Sequence, residues 1–202
     1  PSPAAPSAAT EAPAPAPALP GGPSAGGAPP VPPEPQAFSL GIAALEAFIE
    51  KFPKHKLASR ATLDMALTYM HLGRHGDAAR ILEGFLANPR YQDREEIPEA
   101  RYLLGRALRQ QKKFSEALKV WQEYLVRHPT HSAWSAVQRE IVETEFAMAR
   151  DRFEAKDYAQ AAKLWTDFQS RYPLDPRLPE ILYWLGEIEY RQERWEPAIA
   201  AW

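Results

Sequence analysis

The sequence predicts an all-α protein assembled from antiparallel helix pairs, and three observations carry that reading. The stretch from Pro98 to Pro129, PEARYLLGRALRQQKKFSEALKVWQEYLVRHP, contains one complete pair. Leu104 and Gly105 sit in a first helical pattern and Phe114 opens a second; Ala117, Trp121 and Tyr124 follow before Pro129, which lacks an amide proton, stops it. The same skeleton then recurs. Tyr158, Ala161, Trp165, Phe168 and Pro173 repeat the spacing of Phe114, Ala117, Trp121, Tyr124 and Pro129 without a gap, and Phe38, Gly41, Leu45, Phe48 and Pro53 do so again. His75, Ala78, Leu82, Phe85 and an early Pro89 form a looser copy, and Trp195, Ala198 and Trp202 begin a last one. Finally, the first 37 residues hold 13 of the 21 prolines and no aromatic residue, so they form no core of their own.

The small residues have a steric reason: Gly105 and Ala117 are expected where two helices cross, since a larger side chain would push the axes beyond about 8–10 Å. This register resembles the tetratricopeptide repeat (TPR) family, whose unit of about 34 residues carries a small residue at position 8, an aromatic at 17, Ala at 20, an aromatic at 24 and Pro at 32. Over roughly residues 38 to 202, position 8 is Ala66, Gly105, Ala149 and Gly186, and position 20 is Gly41, Ala78, Ala117, Ala161 and Ala198. The resemblance implies a right-handed TPR superhelix, an α-solenoid whose first helices line a concave face. Position 17 recurs after 37, 39, 44 and 37 residues, so the connections are longer than in the standard repeat. With the phrases FPKH from Phe52 and YPLD from Tyr172 after second helices, the spacing is similar to an elongated variant common in bacterial envelope proteins.

Taken in order, residues 1–37 read as a disordered linker. Ala-Pro alternation from Pro13 to Pro20 favours extended polyproline II, and GGPSAGG from Gly21 to Gly27 is a flexible joint. The PxxP spelling of Pro30 to Pro33 is read as spacer rather than ligand, because proline-rich sequence produces it unavoidably. From Phe38 to about Phe52, Ile42, Leu45, Phe48 and Ile49 form one helical stripe, a second helix without its first. Leu57 to His71 supplies a helix, Gly73 turns it, and Asp77 to Ala87 returns, burying Ile81, Leu82 and Phe85. Asn88 to Ile97 is an irregular connection before the pair that ends at Pro129. Trp134, Val137, Ile141 and Met148 then stay on one face, which predicts a single long helix from about Ser132 to Ala155 with its first turns projecting beyond the neighbouring repeats. Tyr158 to Arg171 returns, Pro179 to Gln192 forms the next first helix, and the stub from Trp195 has Pro197 near its first turn, where a missing amide is harmless. That stub is too short to stand alone and must lean on its partner, with a further repeat or cap over Ile199 and Trp202.

Composition narrows the chemistry. Lys and Arg total 24 against 26 acidic residues, and the tail contributes only Glu11 and Glu34, so residues 38–202 are neutral and no nucleic-acid or anionic-membrane binder is indicated. Cysteine is absent, which removes disulfides, thiolate metal sites and a cysteine nucleophile. No apolar run reaches the ~18 residues of a membrane span, so direct membrane insertion is not expected. Of the five histidines, His71 and His75 are separated by Gly73, and His128 and His131 bracket Pro129, so neither pair makes a metal site. Phosphate loops, nucleophile elbows and paired-carboxylate motifs are missing; neither enzyme activity nor a cofactor is expected. Glu95, Glu96 and Glu99 read as helix-start and solvent-face charges.

The candidate site is the concave face that the family resemblance implies, through positions 2, 5, 9, 12 and 13 of the first helices. Carried over, these are Arg60, Leu63, Leu67, Met70 and His71; Glu99, Tyr102, Arg106, Arg109 and Gln110; Glu143, Phe146, Arg150, Phe153 and Glu154; and Glu180, Tyr183, Glu187, Tyr190 and Arg191. Aromatic and Arg side chains anchor interfaces, so Tyr102, Arg106, Arg109, Phe146, Arg150, Tyr183, Glu187 and Tyr190 are the candidate partner-binding residues, for an extended or helical peptide with apolar and acidic groups. The bland alternative packs those aromatics between first helices and pairs the arginines with Glu99, Glu143 or Glu180. Trp121, Trp165 and Phe168 are expected in the core. The Lys and Asn clamp by which chaperone-binding TPRs grip a terminal carboxylate does not occur at these positions. The expectation is a non-enzymatic protein-interaction scaffold of the bacterial periplasm or cell envelope, with a cytoplasmic scaffold as the alternative. Two further alternatives are the non-catalytic leader of a larger secreted or anchored protein, as in some alpha-2-macroglobulin-like proteins, and a substrate-recruiting module beside a catalytic domain. In each, additional repeats or domains share the chain.

Overall fold

The computed structural model describes residues 34–202; the expectations for Pro13 to Pro20, Gly21 to Gly27 and Pro30 to Pro33 lie outside them. The described chain is helical throughout, in the order α1 (Glu34–Lys51), α2 (Ala58–His71), α3 (His75–Ala87), α4 (Ile97–Gln110), α5 (Phe114–Arg127), α6 (Trp134–Glu154), α7 (Tyr158–Arg171), α8 (Leu178–Arg191) and α9 (Trp195–Ala201). It is an all-α solenoid in which each helix packs chiefly on its sequence neighbours. α1 starts at Glu34, ahead of Phe38, so Glu34 to Ala37 are helix rather than linker. An acidic residue and a proline both suit a helix amino-terminus, which explains the earlier start.

The pairs α2/α3, α4/α5, α6/α7 and α8/α9 share one turn. In each, the residue two positions before the second helix has a left-handed backbone: Gly73 (φ 70°), Lys112 (59°), Lys156 (62°) and Glu193 (58°). The next amide reaches back five residues, Arg74 to Tyr69 O at 2.9 Å, Lys113 to Leu108 O at 3.0 Å, Asp157 to Arg152 O at 2.9 Å and Arg194 to Glu189 O at 3.0 Å. This is a Schellman closure, which satisfies the last carbonyls of the first helix and aims the second back along it. The helices α1, α5 and α7 close alike, with rings four residues apart in contact: Phe48 with Phe52 at 5.6 Å, Tyr124 with His128 at 5.3 Å, and Phe168 with Tyr172 at 4.7 Å.

Gly105 is required by Trp121 rather than by Ala117. A Cβ on Gly105 would lie 2.2 Å from Trp121 Nε1, and that indole N–H donates to Tyr102 O at 3.2 Å. Gly41, by contrast, is exposed, and a Cβ there meets nothing among the described residues. The connection before α4 is not wholly irregular either. Pro89–Tyr91 forms a 3₁₀ turn whose start is capped by Asn88 Oδ1 accepting from the Arg90 amide, and it stacks Tyr91 on Phe85 at 4.7 Å.

Two apolar cores result. One includes Leu63, Leu82, Phe85, Leu108, Trp121 and Tyr124; the other gathers Ala149, Ala161, Trp165, Phe168, Ile181 and Ile188. Trp121, Trp165 and Phe168 are fully buried, whereas Ile81 is only half-buried. α6 is continuous over its 21 residues and serves both cores. Its Val137 and Ile141 enter the first, while Val142, Phe146, Ala149 and Phe153 face the second. The first turns of α6 therefore do not project free: Val137 is buried, and Trp134 Nε1 donates to Leu125 O of α5 at 3.2 Å. The seven residues by which α6 exceeds the 14 of α4 and α8 run back along α5, since apolar side chains at helical spacing gain more by burial than by standing in water.

Candidate functional site

The first helices α2, α4, α6 and α8 are laced by ion pairs along one side. Arg60 of α2 meets Glu99 of α4 at 3.0 Å, Arg109 of α4 meets Glu140 of α6 at 2.6 Å, and Arg177, just before α8, meets Glu143 of α6 at 2.9 Å. Lys112, after α4, reaches Asp151 of α6 at 2.6 Å. Between α4, the amino-terminal half of α6 and the turn before α8 opens a groove of about 1070 Å³, lined by Tyr102, Arg109, Ser135, Ala136, Gln138, Arg139, Glu140, Val142, Glu143, Asp175, Pro176 and Arg177.

The two walls differ in charge. On the α8 side Arg177 is saturated: Nε and Nη2 each donate to the Asp175 carboxylate at 2.8 Å, Nη1 donates to Glu143 at 2.9 Å, and the guanidinium lies 4.9 Å from the Phe146 ring centroid. The hydrogen bond to Asp175 raises the Arg177 pKa, and the same bond lowers that of Asp175. On the α4 side two guanidinium groups meet one carboxylate of α6. Arg106 and Arg109 share one carboxylate, Glu140, at 3.8 and 2.6 Å. Arg139 is exposed and has no ion-pair partner among the described residues. The half-buried Tyr102 supplies an aromatic face, with Arg106 at 5.8 Å from its ring centroid.

The sequence-derived candidates are distributed as follows. Tyr102 and Arg109 line the groove and Arg106 sits at its edge through Glu140. Phe146 turns into the second core against Phe168 at 6.0 Å, under Arg177, and Arg150 pairs with Glu154 on its own helix at 3.1 Å. Tyr183, Glu187 and Tyr190 come together elsewhere, in a hollow of about 630 Å³ beside Trp202. Tyr183 stacks on Trp202 at 6.5 Å, and Arg191 pairs with Glu187 at 2.7 Å. Phe153 packs among Tyr158, Trp165 and Trp184.

Sequence reasoning missed Gln138, Arg139, Glu140, Asp175 and Arg177. The first three lie on the part of α6 outside the repeat register, Asp175 ends the YPLD phrase and Arg177 follows it. A charged face at helical spacing, Arg139, Glu140 and Glu143, was the signal available.

Away from the groove, buried polar groups serve packing. His131 Nδ1 meets Tyr124 Oη at 2.5 Å, and burial, followed by Arg101, His131 and Arg127, pushes the His128 pKa down. Glu145, 5% exposed, is held by Arg171; burial and then this carboxylate push the Tyr172 phenol up to about 12. No group of three or more metal-ligating side chains, and no helix long and apolar enough to cross a membrane, occurs among the described residues.

The tetratricopeptide repeat family profile matches residues 63–132 and 146–202. No curated protein sequence matches the chain. Among solved structures, it is similar to MamA, with 17% identity, 83% of this chain and 86% of that chain covered, and a TM-score of 0.45. MamA from Desulfovibrio magneticus RS-1 matches at 14% identity, with 83% of each chain covered and a TM-score of 0.44. TPR-like repeats of a kinesin light chain from Podosopora anserina match at 14% identity, covering 83% of this chain and 84% of that one, with a TM-score of 0.44.

Proposed function

The chain belongs to the tetratricopeptide repeat family, and on that premise we propose that it is a non-enzymatic protein-interaction scaffold. The observation that carries the proposal is the groove of about 1070 Å³, whose lining combines an aromatic face, Tyr102, with charged side chains on two walls. Aromatic and Arg groups in a concavity are the side chains that anchor protein partners. A segment of a partner chain, extended or helical, is the ligand of suitable size and mixed chemistry. We place its work in the bacterial periplasm or cell envelope. Supporting that location are the long spacing between repeats and the Pro/Ala-rich segment before Glu34, whose composition suits a spacer.

A site-specific photo-crosslinker tests both parts. Placed at Gln138 in the groove, it is expected to trap a defined partner from an envelope extract, and excess unlabelled protein should compete the adduct away. At Val126, an exposed residue of α5 outside the groove, no adduct is expected. Adducts from Val126 alone would refute the groove, and adducts from cytosolic extract alone would refute the location.

A further inference from the structure

We propose that the joint between α5 and α6 is an acid-sensitive latch: His128 is seated there as a neutral ring, and its protonation releases the first turns of α6 from α5. The seat is a linked set of contacts. The His128 ring lies edge-on to the buried Tyr124 at 5.3 Å, and Tyr124 Oη meets His131 Nδ1 at 2.5 Å. The Ala133 amide also donates to His131 Nδ1, at 3.3 Å, so that nitrogen carries no proton and the Tyr124 hydroxyl donates to it. Ala133 is the residue from which α6 starts, and its carbonyl accepts from the Val137 amide at 2.9 Å. His128 Nε2 is buried and has no hydrogen-bond partner among the described residues. A proton added there creates a donor with no acceptor, and a charge that must reach water. The charged groups around the two rings come from three sides. α4 contributes Arg101, α5 contributes Glu123 and Arg127, and the hollow of about 920 Å³ that His131 helps to line holds Lys56, Arg60 and Arg94 against Asp93, Glu95, Glu96 and Glu99. Glu123 is already engaged by Arg101 at 3.3 Å, Glu99 by Arg60 at 3.0 Å, and Glu96 by the Ser59 hydroxyl at 2.9 Å. Burial, then Arg101, His131 and Arg127, lowers the His128 pKa, and no carboxylate opposes them. With the folded pKa lowered, the joint is fully stable above the ordinary histidine value of about 6.5 and loosens as pH falls below it. The rings that hold the same place just after α1 and α7 are Phe52 and Tyr172, which do not charge in this range. Ser135, Ala136 and Gln138, on the released turns, line the groove, so acid loosens one of its walls whatever occupies it.

Two readouts on the chain 1–202 test this. In an NMR titration of the histidine rings, His128 is expected to titrate below about 6.5, and Arg101→Gln should raise its midpoint by removing the neighbouring guanidinium. The second readout is amide exchange, expressed as protection so that the intrinsic pH dependence of exchange cancels. From about pH 7.5 to about pH 5.5 the protection of the Val137 amide should fall about tenfold, the ratio produced when the opened joint takes up one proton at the ordinary pKa of about 6.5. The Ala78 amide, in α3, should keep its protection. His128→Phe, which installs the ring found after α1, should hold Val137 protection level across that range. His75→Gln, which removes a half-buried histidine elsewhere whose Nδ1 also lacks a partner, should leave the fall in place. A His128 midpoint at or above the ordinary value, no fall at Val137, an equal fall at Ala78, or a fall that persists in His128→Phe or vanishes in His75→Gln would overturn the inference. Should His128→Phe fold poorly, Arg101→Gln still decides, because it keeps the histidine and an unmoved midpoint there would equally overturn it.

Discussion

The pairs α4/α5 and α8/α9 contain the same contact in two different settings. In both, a glycine of the first helix faces a tryptophan 16 residues later: a Cβ would lie 2.2 Å from Trp121 Nε1 at Gly105 and 2.3 Å from Trp202 Nε1 at Gly186. In both, the indole N–H donates at 3.2 Å to the carbonyl three residues before the glycine, Tyr102 O or Tyr183 O. Yet Trp121 is fully buried and Trp202 is 58% exposed. The contact is therefore a property of the pair, and the burial is a property of the neighbour. Val137 and Ile141 of α6 join the core that encloses Trp121, and no described element does the same for Trp202.

The intervening pair α6/α7 shows what happens when the glycine is replaced. Position 8 there is Ala149, and although Trp165 is fully buried, its indole N–H has no hydrogen-bond partner among the described residues. Since a Cβ at Gly105 or Gly186 would meet the indole, the Ala149 methyl is the expected cause of the missing hydrogen bond to the Phe146 carbonyl. A buried unpaired donor of this kind costs about 1–3 kcal/mol.

The largest difference between the two settings should come from truncating the indoles. Trp121→Ala is expected to destabilise by about 3–5 kcal/mol in urea titrations, and Trp202→Ala by about 1 kcal/mol or less, because an exposed side chain leaves no enclosed cavity. Equal losses would mean that the exposed end is not loosely held. Next in size is the added methyl. Gly105→Ala should cost about 2 kcal/mol, since the enclosed indole cannot move away, whereas at Gly186→Ala the ring swings into solvent and the gain in helix propensity leaves stability near unchanged. A smaller effect separates the turns. Lys156 adopts the left-handed conformation that Gly73 adopts in α2/α3, and it has no ion pair among the described residues, so Lys156→Gly should raise stability by about 1 kcal/mol; an unchanged urea midpoint would contradict that. The smallest change in stability is expected for Ala149→Gly, where the new hydrogen bond offsets the lost helix propensity to within about 1 kcal/mol. Its signature is spectroscopic. The Trp165 indole proton should move downfield in an amide correlation spectrum toward the hydrogen-bonded Trp121 signal, and a fixed resonance would show that the methyl is not what keeps the ring away.

The helices themselves were readable from residue spacing. Phe114, Tyr158 and Trp195 each open a second helix as their register requires, and the long helix over Trp134–Glu154 followed from its apolar face. So did the full burial of Trp121, Trp165 and Phe168. Where spacing misled, a neighbour was the cause. Gly41 fits the repeat pattern but faces no described side chain, and the first turns of α6 fold onto α5 instead of projecting. The groove was only partly legible. Tyr102 and Arg109 lie where the register placed them, but Phe146 went to the core and Arg139, Glu140 and Arg177 came from segments the register does not number.

By itself the sequence determined the local structure: helix lengths, the turns closed by a backward-reaching amide, and the glycine that admits a tryptophan 16 residues on. These depend on atoms within one pair, at separations the periodicity reports. Only the tertiary structure decided that the first turns of α6 fold back on α5, that Phe146 enters the core, and how many guanidinium groups compete for Glu140. Burial and charge balance are sums over every neighbour, and neighbours come from stacking one pair on the next, which no single repeat encodes.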